Sequence, residues 1–173
     1  MRTLIIQTSP FHTGSTFLIN ALYGLIPELN NKRIIAIWDN EWEKEFEDIM
    51  VIKCHITNIN ELMTKYNDKY NLYFICSERI EKQKLINEKY KSYKNVIVFP
   101  FSELNETNTN DIPTIITNIY NKMNKMLNIE LNISSGINRI IEMNKRYEKI
   151  KLLPFSYTDE FYELHGSHRN RLN

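Results

Sequence analysis

Short apolar runs alternate along the chain with segments in which apolar residues recur at helical spacing. A short apolar run is typical of a buried strand, and a spacing of three and four residues is typical of an amphipathic helix. Five strands are predicted in this way, at Thr3–Thr8, Arg33–Trp38, Met50–His55, Leu72–Cys76 and Asn95–Phe99. Six helices are predicted, at Ser15–Leu25, Asn40–Asp48, Ile59–Tyr66, Glu81–Tyr93, Ile112–Leu127 and Ile133–Tyr147. Such alternation predicts an α/β fold with a mainly parallel sheet of about five strands and helices on both faces, which makes three layers.

The length and composition indicate one globular domain spanning residues 1–173. Of the 173 residues, 42% are hydrophobic and 25% are charged, which is ordinary for a globular protein. The motifs that carry chemistry fall within residues 3–104, and residues 105–173 are expected to form helices and a C-terminal tail.

The charge and the absence of long apolar runs restrict the partners. With a net charge of +1, no overall field attracts nucleic acid or an acidic membrane surface. No run has the length of a transmembrane helix, and the N-terminal apolar stretch is too short for a signal peptide. Cys54 and Cys76 are too few for a disulfide framework and are expected to be reduced thiols in or near the core. The expected location is the cytoplasm, and the oligomeric state, including a homodimer, stays open.

The loop between the first predicted strand and the first predicted helix is the strongest candidate for a binding site. In a parallel sheet, ligands bind beyond the carboxyl ends of the strands, where Ser9–Gly14 would lie. The first N–H groups of a helix have no partner within it, and the helix dipole there favours negative charge. Gly14 permits close approach to the backbone, and Ser15 and Thr16 add hydroxyl donors. The segment therefore predicts a phosphate-type anion site, although a loop that merely caps a helix is the plainer alternative.

This loop differs from the phosphate loop of ATP-hydrolysing enzymes, G-x-x-x-x-G-K-[ST]. Aligned on Gly14, the first glycine becomes Ser9, the lysine becomes Ser15, and Thr16 keeps the last hydroxyl position. Without the lysine ammonium to neutralise terminal phosphates, ordinary ATP hydrolysis is disfavoured. The apolar run that ends in Asp39 is nevertheless similar to a strand that holds Mg²⁺ in such enzymes. A nucleotide kinase or NTPase using Asp39 and Mg²⁺ is therefore one alternative, and a helix-capping Asp39 is another.

Four segments, in the same order along the chain, resemble motifs of the sulfotransferases that use 3′-phosphoadenosine 5′-phosphosulfate (PAPS). The family's first loop reads approximately P-[KR]-[ST]-G-[ST]-T-[WF]-L, and Phe11–Leu18, FHTGSTFL, matches it. The family's strand that ends in K-T-H is similar to Val51–His55, VIKCH. Two weaker matches are Phe74–Arg79, FICSER, and Val98–Leu104, VFPFSEL. On these motifs the chain resembles a compact, divergent member of the family, whose fold is the three-layer fold of the P-loop NTPases.

The resemblance implies a role for each matching residue. His55 would be the catalytic base that takes the proton of a hydroxyl or amine acceptor, and Lys53, on the same side of its strand, would support the transferring group. The segment with Ser77 and Arg79 would bind the 3′-phosphate, while the family's partner serine corresponds to Asn87. The first loop would wrap the 5′-phosphosulfate, with Phe11, His12, Thr13, Gly14, Ser15, Thr16 and Phe17 as the matching residues.

Two features depart from the family pattern or lie outside it. His12 replaces the lysine or arginine that stabilises the departing phosphate. A histidine, with its reference pKa near 6.5, is only partly charged at pH 7 but can donate a hydrogen bond when neutral. Near the C-terminus, Arg169 and Arg171 are candidates for folding back onto the 3′-phosphate, because guanidinium suits phosphate. A frayed basic terminus is the alternative for them.

The motifs together predict transfer of a sulfuryl group from PAPS to an acceptor, with 3′-phosphoadenosine 5′-phosphate as the product. No metal is required, since a sulfuryl group carries less charge than a terminal phosphate. The expected partners are this nucleotide cosubstrate and an acceptor that the sequence does not name. A domain that binds a nucleotide without turnover is a further hypothesis. The residues also have plainer interpretations: a strand-end charge for Lys53, a hydrogen-bonded loop histidine for His55, and a solvated charge or ion pair for Arg79.

Overall fold

The computed structural model describes residues 1–10, 13–37, 42–44, 48–56, 58–79, 86–104 and 111–150. In these ranges the strands are β1 Thr3–Thr8, β2 Ile35–Ala36, β3 Ile49–Cys54, β4 Asn71–Glu78 and β5 Val96–Pro100. The α-helices in the same ranges are α1 Ser15–Leu25, α2 Ile59–Tyr66, α3 Ile86–Tyr90, α4 Phe101–Leu104, α5 Ile112–Met126 and α6 Ile133–Ile150. A 3₁₀ turn, Pro27–Leu29, follows α1.

The strands form one parallel sheet in the order β2-β3-β1-β4-β5. The central strand is β1, which pairs with β3 on one side and with β4 on the other. In this register Gln7 of β1 lies between Lys53 of β3 and Ile75 of β4. The predicted α/β class with a parallel five-stranded sheet is therefore confirmed.

Helices cover both faces of the sheet, because successive side chains of a strand point to opposite faces. On the first face, Ile5, Val51 and Ile75 are buried in one apolar cluster with residues of α1, α5 and α6. On the second face, Ile6 and Phe74 belong to a separate cluster with residues of α2 and α3. The sheet is thus the middle of three layers.

The connections that leave neighbouring strands diverge at the carboxyl edge of the sheet. The helix after β1, α1, packs on the first face, whereas α2 after β3 and α3 after β4 pack on the second face. Where neighbouring strands send their connections to opposite faces, a crevice opens beyond their carboxyl ends, and ligands of open α/β sheets bind there. The fold therefore puts the loop after β1 at that crevice.

Several predicted elements differ from the observed ones. The second strand is reduced to Ile35–Ala36 at the edge of the sheet, and β3 ends at Cys54, so that His55 lies just beyond it. Of the helix predicted at Asn40–Asp48, residues 42–44 form a turn, residue 48 is a bend, and the rest lies outside the described residues. The predicted helix at Glu81–Tyr93 is observed as α3, with residues 80–85 outside the described part.

The short helix α4 was not predicted, because contacts with a distant helix anchor it. Glu103 of α4 accepts hydrogen bonds from Asn118, at 2.9 Å, and from Lys122, at 2.7 Å. Both partners belong to α5. A local pattern of four residues cannot indicate such anchoring.

Two glycines allow α1 and α6 to pack closely. A Cβ atom on Gly24 of α1 would lie 2.9 Å from the Cα atom of Gly136 and 2.9 Å from the Cβ atom of Arg139, both in α6. Beside this contact, Arg139 lies over the ring of Tyr23 and donates a hydrogen bond to the carbonyl of Asn30. The pair of helices forms much of the first apolar layer.

The cysteines are free and buried, as predicted. Cys54 ends β3, opposite Thr8 of β1, and Cys76 lies on β4, on the other side of β1. Two strand spacings separate the Cα atoms of the two cysteines by about 9 to 10 Å, too far for a disulfide. Burial raises the pKa of both thiols, so they stay protonated at neutral pH.

Candidate functional site

The first backbone N–H groups of α1 are not capped by a side chain of the residue before the helix. The N-cap residue is Gly14, whose left-handed backbone, with φ of 82°, suits glycine. It has no side-chain oxygen to cap the N–H groups of Ser15, Thr16 and Phe17, and these cannot bond within the helix. Gly14 and Thr16 are partly exposed. The first turn can therefore offer amides and the positive end of the helix dipole to an anion.

Buried hydroxyls hold the loop against the end of β4. Ser9 Oγ accepts hydrogen bonds from Gln7 Nε2, at 2.7 Å, and from the backbone N–H of Ser77, at 2.8 Å. Ser77 Oγ lies 2.9 Å from both Ser9 Oγ and Thr13 Oγ1. The Thr13 hydroxyl also donates to the carbonyl of Pro10, at 2.8 Å. The network fixes both ends of the loop before any ligand binds, which lowers the entropic cost of binding.

The ring of His55 is oriented by the same loop. Its Nδ1 lies 2.8 Å from the carbonyl oxygen of Ser9. Because a carbonyl oxygen can only accept a hydrogen bond, Nδ1 carries the proton, and the lone pair of a neutral ring is then on Nε2. This is the tautomer that a general base needs, and the half-buried ring stands at the carboxyl edge between β3 and β1.

Lys53 lies on β3, two residues before His55, and is almost fully buried, with 2% of its surface exposed. It is in register with Gln7 of β1 and with Ala36 of β2. It shares a strand face with Val51, which packs under α1. Burial lowers the pKa of Lys53 to about 7, because a charged amine loses its hydration there. The amine is thus charged only in part at neutral pH.

Arg79 follows β4 and reaches the same edge. Its guanidinium carbon lies 3.6 Å from the ring centre of Phe101, the first residue of α4. Phe101 in turn is a neighbour of Gly14, since a Cβ atom on Gly14 would lie 3.3 Å from the Phe101 ring and 3.3 Å from Leu104. The positive φ favours glycine at position 14, and a Cβ atom there would also press closely on two side chains of α4. Stacking on Phe101 fixes the guanidinium near the α1 start.

Two buried polar atoms of this region have no hydrogen-bond partner among the described residues. They are Oε1 of Gln7 and Oγ1 of Thr16. Gln7 is fully buried on the central strand, where a polar residue inside the apolar run TLIIQT was the available signal. Ser9 was likewise not chosen as a site residue, because its role depends on the pairing of β1 with β4. Unpaired buried acceptors are uncommon and costly.

The structure brings together several of the residues predicted for the site and leaves others undescribed. Thr13, Ser77, Lys53, His55 and Arg79 lie at the carboxyl edge around the start of α1. The side chain of Phe17 instead belongs to the apolar core, so only its backbone N–H faces the loop. The predicted residues outside the described part of the chain are Phe11, His12, Asp39, Arg169 and Arg171.

The arrangement combines backbone amides that could accept an anion with an imidazole and two basic side chains. Amides of the first turn of α1 suit an oxyanion. Arg79 supplies positive charge, Lys53 supplies it in part at neutral pH, and the oriented imidazole of His55 stands beside them. Among the described residues, no group of three or more His, Cys, Asp or Glu side chains could hold a metal ion. Within the same ranges, no helix combines the length and the hydropathy needed to cross a bilayer.

No protein-family model matches the chain, and no curated protein matches it. The functional argument therefore depends on the geometry of this edge of the sheet.

Proposed function

We propose that the domain binds the phosphate or phosphosulfate group of a nucleotide at the start of α1, and that it is a sulfotransferase-like enzyme using PAPS. The observation that carries the proposal is the grouping at one crevice of the glycine-capped start of α1, Lys53, the oriented ring of His55, and Arg79. Each of these groups lies at the carboxyl edge of the central strands, where the fold opens a crevice.

The proposed chemistry is an in-line transfer of a sulfuryl group to a hydroxyl or amine. The Nε2 lone pair of His55 takes the acceptor proton as the new bond to sulfur forms and the bond to the phosphate oxygen breaks. The amides of Ser15 to Phe17 stabilise the negative charge that moves onto the departing phosphate. Lys53, when charged, stabilises the negative charge of the same departing phosphate. Arg79 suits a second phosphate, since its planar guanidinium can pair with two oxygens.

The choice of nucleotide tests the proposal. Titration calorimetry should show that 3′-phosphoadenosine 5′-phosphate binds at least about tenfold more tightly than ATP, with or without Mg²⁺, because the loop lacks the lysine of ATP-type loops. Tighter, Mg²⁺-dependent binding of ATP would contradict the proposal and favour a nucleotide kinase or NTPase. Tight binding of 3′-phosphoadenosine 5′-phosphate without turnover on any of a panel of hydroxyl and amine acceptors would favour a domain that only binds.

The role of His55 has a test of its own. In His55→Asn the side-chain amide can keep the hydrogen bond to the Ser9 carbonyl but cannot accept the acceptor proton. We expect turnover to fall by about 100-fold or more, while the affinity for 3′-phosphoadenosine 5′-phosphate stays within about twofold. His55→Ala, which also loses the loop contact, should lose affinity as well. Unchanged turnover in His55→Asn would exclude His55 as the base.

A further inference from the structure

The amine of Lys53 and the amide of Gln7 are side by side on neighbouring central strands. The two residues are in register, and both belong to the strand face that packs under α1, since Val51 and Ile5 two residues before them lie in that apolar cluster. Both side chains are almost completely buried. The nitrogen of the Gln7 amide is used by Ser9 Oγ, while Oε1 has no partner among the described residues. A buried acceptor thus lies beside a buried amine.

We infer that oxyanion binding at this site is coupled to proton uptake: Lys53 takes a proton from solvent when an oxyanion binds, and Oε1 of Gln7 accepts a hydrogen bond from the resulting ammonium. The inference rests on the proposed anion site and adds that Lys53 is protonated when that site is occupied.

The electrostatic reason is the burial of the amine. Without an anion, the ammonium form of Lys53 is disfavoured by lost hydration, and its pKa is lowered to about 7. An oxyanion on the neighbouring amides of α1 would favour the charged form, since opposite charges within about 6 Å raise the pKa of an amine. A buried ammonium also needs hydrogen-bond acceptors, and the unpaired oxygen of Gln7 is available for this. No bond to carbon, phosphorus or sulfur changes in this step.

Ionisable groups of several other elements also lie around this edge of the sheet. Neither β1 nor β2 carries an ionisable residue. Within the described part of the chain, the ionisable residues of the surrounding elements include Tyr23 of α1, Arg139 of α6, Cys54 and His55 at the end of β3, Tyr73, Cys76, Glu78 and Arg79 in or after β4, and Glu103 of α4 with its partner Lys122 of α5. Burial raises the pKa of both thiols, whereas it lowers the pKa of Lys53 to about 7. Lys53 is the group from which we expect the proton uptake at pH 8.5, and its replacement tests this.

The experiment is calorimetric titration of the whole protein with 3′-phosphoadenosine 5′-phosphate at pH 8.5, in two phosphate-free buffers of different ionisation enthalpy. Phosphate groups are fully ionised at this pH, so the ligand itself contributes few protons to the measured exchange. We expect an uptake of about 0.5 to 1 proton per ligand bound, and an affinity that weakens by up to about tenfold per pH unit between pH 7.5 and 9. Lys53→Met should remove the uptake, whereas Lys91→Met, at an exposed position, should keep it.

Gln7→Glu gives the more specific result. A carboxylate beside Lys53 would keep the amine charged before the ligand arrives, so proton uptake at pH 8.5 should fall towards zero although Lys53 is still present. Gln7→Leu removes the acceptor without adding charge and should weaken nucleotide binding at pH 8.5 more than at pH 6.5. It also provides a second test if Gln7→Glu does not fold.

The outcomes separate this inference from the proposed function. Nucleotide binding without proton uptake, or uptake that persists in Lys53→Met, would overturn proton coupling and leave the anion site in place. If neither the nucleotide nor inorganic sulfate binds between pH 6.5 and 8.5, both the site and its coupling are wrong.

Discussion

Lys53 is a buried amine on a strand face whose neighbouring position in β3, two residues earlier, is aliphatic. Val51, two residues earlier on the same face of β3, is fully buried among apolar residues. A lysine there destabilises the fold whenever it is charged, since burial removes the hydration of the ammonium. The free energy of unfolding must therefore depend on pH through this residue.

The sign of that dependence follows from the lowered pKa. Between pH 7, near the pKa of Lys53 in the folded protein, and pH 10.5, its ordinary value, the unfolded chain binds more protons. Stability without ligand should thus rise with pH, by about 1.5 kcal/mol from pH 7.0 to 8.5. Lys53→Met should remove this rise and be more stable than the wild type at pH 7, whereas Lys91→Met should keep it.

Urea denaturation at the two pH values measures the effect. The range stops at pH 8.5 because the buried thiols of Cys54 and Cys76 have raised pKa values. Their ionisation in the unfolded chain alone would lower stability at higher pH. A wild-type stability that is flat between pH 7.0 and 8.5, or a rise that survives in Lys53→Met, would contradict the burial account of Lys53.

At the level of elements, the contact between α1 and α6 holds in place the helix whose start is the proposed anion site. The backbones approach so closely at Gly24 and Gly136 that no Cβ fits between them without movement. Gly24→Ala should therefore destabilise the protein by about 1 to 3 kcal/mol, despite the better helix propensity of alanine. Thermal unfolding measures this, with Asn138→Ala, at an exposed position of α6, as a control expected within about 0.5 kcal/mol of the wild type. A Gly24→Ala protein as stable as that control would show that the helices can separate freely.

The elements also show what the sequence could and could not predict. β1 and α1 were predicted with the observed bounds, because their apolar residues follow one clear period within a single segment. By contrast, α4 depends on hydrogen bonds from α5 to Glu103, and the short extent of β2 depends on its pairing with β3. Such long-range contacts leave no local pattern.

In the candidate site, too, local arrangements could be predicted from the sequence and long-range contacts could not. Lys53 and His55 could be placed together because they are two residues apart at the end of one predicted strand. The Ser9–Ser77 bond and the neighbours of Gln7 depend on which strands flank β1. Strand order cannot be obtained from one sequence by periodicity alone, so these polar contacts became visible only in the folded chain.

At the scale of the whole molecule, the groups of the proposed site lie at one edge of a nearly neutral protein. The net charge of +1 gives little long-range attraction for an anionic ligand. In the proposed function, local groups supply this attraction: the start of α1, the guanidinium of Arg79, and Lys53 once it is charged. Binding should accordingly depend on these few groups and little on the remaining surface charge.

The most direct test of this account follows the backbone amides of Ser15, Thr16 and Phe17 by ¹H–¹⁵N NMR during addition of 3′-phosphoadenosine 5′-phosphate. The account predicts that these resonances shift saturably, with a common dissociation constant, and that adenosine without phosphate leaves them in place. Saturable shifts confined to other parts of the molecule, or equal shifts with adenosine, would contradict an oxyanion site at the start of α1.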